Sequence, residues 1–304
     1  MNKTNAIRLE KKLGEGSYGI VYRIEYSNKK FALKIEKKPG SLKDEISILR
    51  RLSHPSIPKV INYGSYNRYA YMILPLYKIS LIQMIDRHSD FFNNKSVAAI
   101  GWNIIDIFEY IHPNGIIYCD MKPENIMIGF DNKVYLIDFG LYTLIKTDRE
   151  NSGANYSGKH KDDDDKVVNN KECNDREKET RNRIVGTARY ASVNALKGMR
   201  LCEKDSFESL AYTLIFLLDR SLPWSNLKDT KSILAKKEDT RTNELCRSLE
   251  NKEEWCRFVD FVKSNNFKEM IHYKTAKSIL INIINCGNAE KGCCFVLRMP
   301  FCKW

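Results

Sequence analysis

The chain has 304 residues, 43% of them hydrophobic, and a formal net charge of +12. That length can bury one or two substantial cores. No run approaches the roughly 18–20 apolar residues of a membrane span, and MNKTNAIRLEKK lacks a signal-type apolar stretch, so secretion and membrane spanning are not expected. A cytoplasmic location is expected, and a nuclear one is also compatible.

Residues 7–35 alternate apolar and polar around a glycine turn and predict two or three antiparallel strands. Leu42 to Leu52 has helical periodicity, which Ser53-His54-Pro55 ends. Strands are predicted over 59–66 and 69–74, parted by Asn67-Arg68. From Ser80 the pattern turns helical, at 80–87 and 95–111, with His112-Pro113-Asn114-Gly115 closing the second helix. Val134 to Ile137 reads as a short buried strand. Further helices are predicted over 206–218, 230–237, 253–264 and 275–285. The chain thus reads as α+β and bilobal, with a small antiparallel-sheet lobe (about 1–75), a hinge (75–79) and a mostly helical lobe (80–285).

Residues 146–184 interrupt this pattern. They are rich in Lys, Asp, Asn and Glu, include KHKDDDDK, and hold almost no apolar positions. Burial cannot offset their ordering entropy, so a mobile surface insert is expected. The Asp162 to Lys166 string resembles an engineered tag, but within a longer charged stretch it reads as part of a natural insert.

The chemistry concentrates in IIYCDMKPENIMIGFDNKVYLIDFGL, residues 116–141. Asp120, Lys122, Asn125 and Asp138 have the order and spacing to hold a metal and phosphates beside a hydroxyl-bearing acceptor. Asp120 would accept or orient the acceptor's proton, and Lys122 would balance charge on the transferred group. Asn125 and Asp138 supply the oxygen ligands that magnesium prefers. Upstream, Gly14-Glu15-Gly16-Ser17-Tyr18-Gly19 with Val21 forms GxGxxGxV, in which backbone amides can approach phosphates closely. Alone, that run is a weak signal, since a hairpin turn also explains it. A dinucleotide fold is disfavoured because strands, not an immediate helix, follow it. Lys34 lies in the apolar strand Phe31-Ala32-Leu33-Lys34, where an unpaired charge would be costly. Glu45 on the next helix offers the carboxylate, and the pair would hold the α- and β-phosphates of ATP.

The nine cysteines are scattered, with no two CxxC pairs at zinc spacing, and read as free thiols. Cys119 has no neighbouring base and is not expected to be a nucleophile. His112 and Trp224 read as packing residues. The lysines alternate with acids along the chain, which argues against nucleic acid and suits acidic proteins, ATP or an anionic surface.

Together these motifs resemble a eukaryotic-type protein kinase, and more narrowly the casein kinase 1 family. The narrower likeness rests on Ile184 to Asn194, IVGTARYASVN, where most kinases have Ala-Pro-Glu. Phe207-Glu208-Ser209-Leu210, the Leu222-Pro223-Trp224 turn, and Phe258, Phe261 and Phe267 continue it, so the resemblance covers about 7–285. It implies a monomeric serine/threonine kinase using ATP and magnesium, with a preference for acidic or phosphoprimed protein substrates. It also implies an adenine pocket of Val21, Ala32, Leu74, Leu76, Tyr77, Met127 and Ile137, with the backbone of Pro75 and Tyr77 on the base edge. Arg189 would read the substrate's anion, helped by Lys228 and Lys231. A more distal family lysine falls on Ala235, and Arg189 could instead pair with an internal carboxylate.

Three departures stand out. Tyr118-Cys119-Asp120 replaces His-Arg-Asp, which argues against control by activation-loop phosphorylation. The aspartate that braces the catalytic loop falls on Ser206, which can donate one hydrogen bond but cannot form a charge-assisted pair. The charged insert lengthens the activation segment. The alternative these departures raise is a pseudokinase scaffold, while the GTARYAS-type segment disfavours an aminoglycoside-type phosphotransferase. The tail, residues 286–304, leaves the family pattern. S-acylation of Cys293 and Cys294 would tether it to a membrane, and folding back as a strand or apolar plug is the other reading.

Overall fold

The computed structural model describes residues 7–16, 19–144, 186–264 and 273–285. Ser17, Tyr18, Phe267, the charged insert and the Cys293–Cys294 pair lie outside them. The first lobe is a five-stranded antiparallel sheet of β1 (Arg8–Glu15), β2 (Gly19–Tyr26), β3 (Lys29–Glu36), β4 (Asn62–Tyr66) and β5 (Tyr69–Pro75), ordered β1-β2-β3-β5-β4.

Register decides which side chains share a face. Val21 lies opposite Lys34, Ala32 opposite Leu74, and Lys34 opposite Met72, so these five point the same way. Leu33, Ile24 and Ile73 form a small separate core on the other face. The predicted strand over 59–66 begins later, at Asn62. Ile61 donates to the Ile73 carbonyl as the last rung, and Val60, two residues after Pro58, lies outside the ladder.

One helix, α1 (Lys43–Arg51), lies between β3 and β4 in the chain. It buries Ile46, Ile48 and Leu49 at helical spacing, with Asp44 and Glu45 in its first turn and Arg50 and Arg51 in its last. That charge order complements the helix dipole.

After Pro75 the chain runs through Leu76–Lys78 into β6 (Ile79–Ser80) and α2 (Leu81–Arg87), whose capping box pairs Ser80 with Gln83. The second lobe is built on α3 (Asn94–Ile111), which is buried along most of its length. The short strands β7 (Ile116–Tyr118), β8 (Ile126–Ile128), β9 (Val134–Leu136) and β10 (Tyr142–Leu144) follow it. They form two small sheets, β6-β8-β9 and β10-β7, which frame the catalytic loop. Then come α4 (Val193–Leu196), α5 (Glu203–Asp219), α6 (Thr230–Asp239), α7 (Thr242–Leu245), α8 (Lys252–Lys263) and α9 (Tyr273–Asn285).

Sequence periodicity places the start of α5 three residues late. Asp205 supplies the reason: it accepts from the Cys202 amide at 2.8 Å and from the Ser192 hydroxyl at 2.7 Å, which closes the first turn. His112 and Trp224 are packing residues, 2% and 1% exposed. His112 stacks on Phe108 and meets the Tyr273 hydroxyl at 2.9 Å.

Candidate active site

The sheet brings Lys34 to the cleft, and α1 brings Glu45 to meet it at 2.6 Å. Lys34 also donates to Asp138 at 2.9 Å, although 104 residues separate them. Burial pulls the Lys34 ammonium down, but Glu45 and Asp138 outweigh it and hold the group above its ordinary value. Burial pushes the Glu45 carboxyl up, against the pull of Lys34.

Asp138 has a left-handed backbone, with φ 60°. That conformation is uncommon for a side chain other than glycine's and needs support. The support is local: the Tyr118 hydroxyl donates to the Ile137 carbonyl at 2.7 Å. The Tyr118 ring meets the fully buried Phe139 edge to face, with centroids 5.2 Å apart. The residue that replaces the family's histidine therefore pins both neighbours of Asp138.

The catalytic loop converges on Asp120, itself 6% exposed. Its Oδ2 takes hydrogen bonds from Lys122 and, at 3.1 Å, from Asn125. Its Oδ1 takes one from the Thr187 hydroxyl at 2.9 Å. Asn125 Nδ2 also donates to the Asp120 carbonyl at 2.9 Å, which leaves the Asn125 amide oxygen for another partner. Asp138 Oδ1 serves Lys34 and the Gly140 amide, and its Oδ2 has no hydrogen bond among the described residues. One carboxylate oxygen and one amide oxygen are the kind of hard donors that a divalent cation such as magnesium takes.

Thr187 escaped the sequence reading, although its motif was quoted. It reaches Asp120 because Gly186, at φ 89°, packs so closely that a Cβ there would lie 2.3 Å from the Cys119 carbonyl oxygen. Burial pushes the Cys119 thiol up to about 12, so it is no nucleophile at neutral pH.

The glycine lid closes with the Gly16 amide donating to the Gly19 carbonyl at 2.9 Å. Gly19 must be glycine, since a Cβ would meet the Ile35 carbonyl oxygen at 2.6 Å, whereas Gly14 and Gly16 face open space. The Glu15 side chain is committed elsewhere, to Lys12 and to Lys37 at 2.6 Å, so only its backbone is left for the lid. Val21, Ala32, Leu74, Pro75, Leu76, Tyr77, Met127 and Ile137 are all half-buried along the cleft side of the sheet, the linker and β8–β9. The Tyr77 ring packs on Tyr135, with centroids 4.4 Å apart.

Arg189 is exposed and makes no ion pair among the described residues; its guanidinium lies 5.7 Å from the Phe216 ring centroid. Lys228 and Lys231 are exposed, the first after the Leu222–Trp224 turn and the second in the first turn of α6.

The protein kinase domain model matches residues 7–285. A probable casein kinase I homologue of Encephalitozoon cuniculi is 31% identical over 299 residues, covering 93% of this chain and 86% of the relative. The chain belongs to the casein kinase I family of protein kinases. Casein kinase I homologues 3 and 2 of Schizosaccharomyces pombe are 28% and 26% identical, and the chain spans 62% and 64% of their lengths. As a member of this family the protein is a serine/threonine protein kinase. Nothing favours the scaffold reading: the departures at Tyr118 and Ser206 both make hydrogen bonds that support the loop.

Proposed function

We propose that this kinase transfers the γ-phosphoryl group of ATP, bound with magnesium, to serine or threonine hydroxyls of acidic or already phosphorylated proteins. One observation carries the reading. Lys34 is joined at once to Glu45 and Asp138, while Asp120 is held by Lys122, Asn125 and Thr187.

In this reading the glycine lid and Lys34 hold the phosphates, Glu45 fixes Lys34, and the half-buried cleft residues take the adenine. Asn125 and Asp138 would hold the magnesium, which neutralises phosphate charge when bound. Thr187 and Asn125 aim the Asp120 carboxylate at the acceptor hydroxyl. The acceptor oxygen bonds to the γ-phosphorus, the bond to the bridging oxygen of ADP breaks, and the hydroxyl proton passes to Asp120. Lys122 balances charge on the moving group.

Arg189 would contact an acidic or phosphorylated side chain near the acceptor, because a planar guanidinium can grip an oxyanion with two hydrogen bonds. Its exposure supports this. The test compares a phosphoprimed acidic peptide with its unprimed counterpart. A higher kcat/KM on the primed peptide, lost in Arg189→Ala, supports the reading, and equal values for both peptides contradict it.

A further inference from the structure

Three main-chain carbonyls around Arg189 are held by side chains from other elements. Lys237 on α6 donates to the Ala188 carbonyl at 3.0 Å and also to the Ala191 carbonyl. Trp224 Nε1 donates to the Arg189 carbonyl between them at 2.7 Å. The Lys237 ammonium lies 4.6 Å from the centroid of the Tyr212 ring and 4.9 Å from that of Trp224.

Lys237 is only 2% exposed and makes no ion pair among the described residues. Burial pushes its ammonium down to about 7, with Glu208 on α5 working the other way. An ammonium here is costly to bury; among the described residues two carbonyls and two ring faces compensate it directly, with Glu208 adding charge from farther off. Its neighbours define what it holds: a turn in which the Tyr190 and Ala191 amides both return to the Thr187 carbonyl, leaving the Arg189 side chain exposed at the surface.

We propose that Lys237 is a positioning residue for substrate capture, its buried ammonium fixing the 188–191 main chain so that Arg189 is presented to the substrate's anion. The inference rests on the reading of Arg189 as the anion contact. Lys237 itself touches no substrate; it acts through the main chain it grips. A role in stability alone would scale all activities together, whereas positioning raises the KM for peptide and leaves the KM for ATP alone.

Steady-state kinetics of the full chain on the primed and unprimed peptides test this with Lys237→Met, Lys237→Arg, Trp224→Phe, Arg189→Ala and the Arg189→Ala/Lys237→Met double variant. Lys237→Met should raise the primed-peptide KM about tenfold, with kcat and the KM for ATP within about twofold of the parent. Lys237→Arg, which keeps a cation over the rings, should recover part of the loss. The double variant should be no worse than Arg189→Ala alone, because the two residues act in series. An unchanged peptide KM in Lys237→Met, or losses that add in the double variant, would overturn the inference while leaving the anion reading intact. Should Lys237→Met fail to fold, Trp224→Phe carries the test, since it keeps a ring but loses the N–H on Arg189. A rise of about threefold or more in the primed-peptide KM supports the inference, and no rise overturns it. If Arg189→Ala leaves primed-peptide kinetics unchanged, the anion reading falls and takes the inference with it.

Discussion

The Ser206 hydroxyl donates to the main-chain carbonyl of Tyr118 at 3.1 Å, across 88 residues of sequence. Ser206 is fully buried in α5, and Tyr118 lies two residues before Asp120, so the helix braces the catalytic loop from below. Ser206→Ala leaves that carbonyl unpaired in a dry site, which costs about 1–3 kcal/mol. The expected outcome is a lower melting temperature and a reduced kcat, with the KM for ATP little changed, read by thermal unfolding and steady-state kinetics.

Thr187 makes a second prediction. Its hydroxyl is the only described donor to Asp120 Oδ1. Thr187→Val keeps the shape and removes the donor, so the carboxylate loses one of its two fixed edges. A fall in kcat of about tenfold is expected, on the scale of misdirected acid–base catalysis. An unchanged kcat would mean that Lys122 and Asn125 aim Asp120 unaided.

The Lys34 cluster separates charge from packing. Lys34→Met removes the cation between Glu45 and Asp138 and should lower kcat by about 10²–10³-fold, the size of losing one preorganised electrostatic partner. Glu45→Gln keeps an acceptor near Lys34 and should cost much less. Equal losses in both would show that the ion pair acts mainly by holding α1 in place.

His112 sets a pH dependence of stability. Burial holds its imidazole at about 3, below the ordinary 6.5, so the folded chain keeps it neutral. Between those two values the unfolded chain binds a proton that the folded chain does not. Stability therefore falls as pH drops through that window, by up to about 1.4 kcal/mol per pH unit from this group. His112→Phe keeps a ring against Phe108 and should flatten that slope in urea titrations between pH 6.5 and 4. A slope identical to the parent's would contradict the account.

Legibility in the sequence followed the reach of each interaction. Asp120, Lys122 and Asn125 stand within six residues, so their convergence in the candidate site was legible from local spacing. Lys34 and Glu45 could be paired because a lysine in an apolar strand calls for a carboxylate. The periodic helices fell within a few residues of their places for the same local reason. What stayed hidden depends on main-chain carbonyls, which are the same at every residue. No sequence signal links Trp224 to Arg189, Lys237 to Ala188, or Ser206 to Tyr118. Thr187 could have been suspected from the glycine before it, but its target lies 67 residues upstream.

The central claim is that the Asp120 and Asp138 carboxylates work together on one transferred phosphoryl group. Phosphate transfer from radiolabelled ATP with magnesium to casein tests it most directly, comparing the parent chain with Asp120→Asn and Asp138→Ala. The account predicts clear labelling by the parent and a loss on the order of 10²–10⁴-fold in each variant, with all three chains folded. Labelling at the same background level in all three would contradict it.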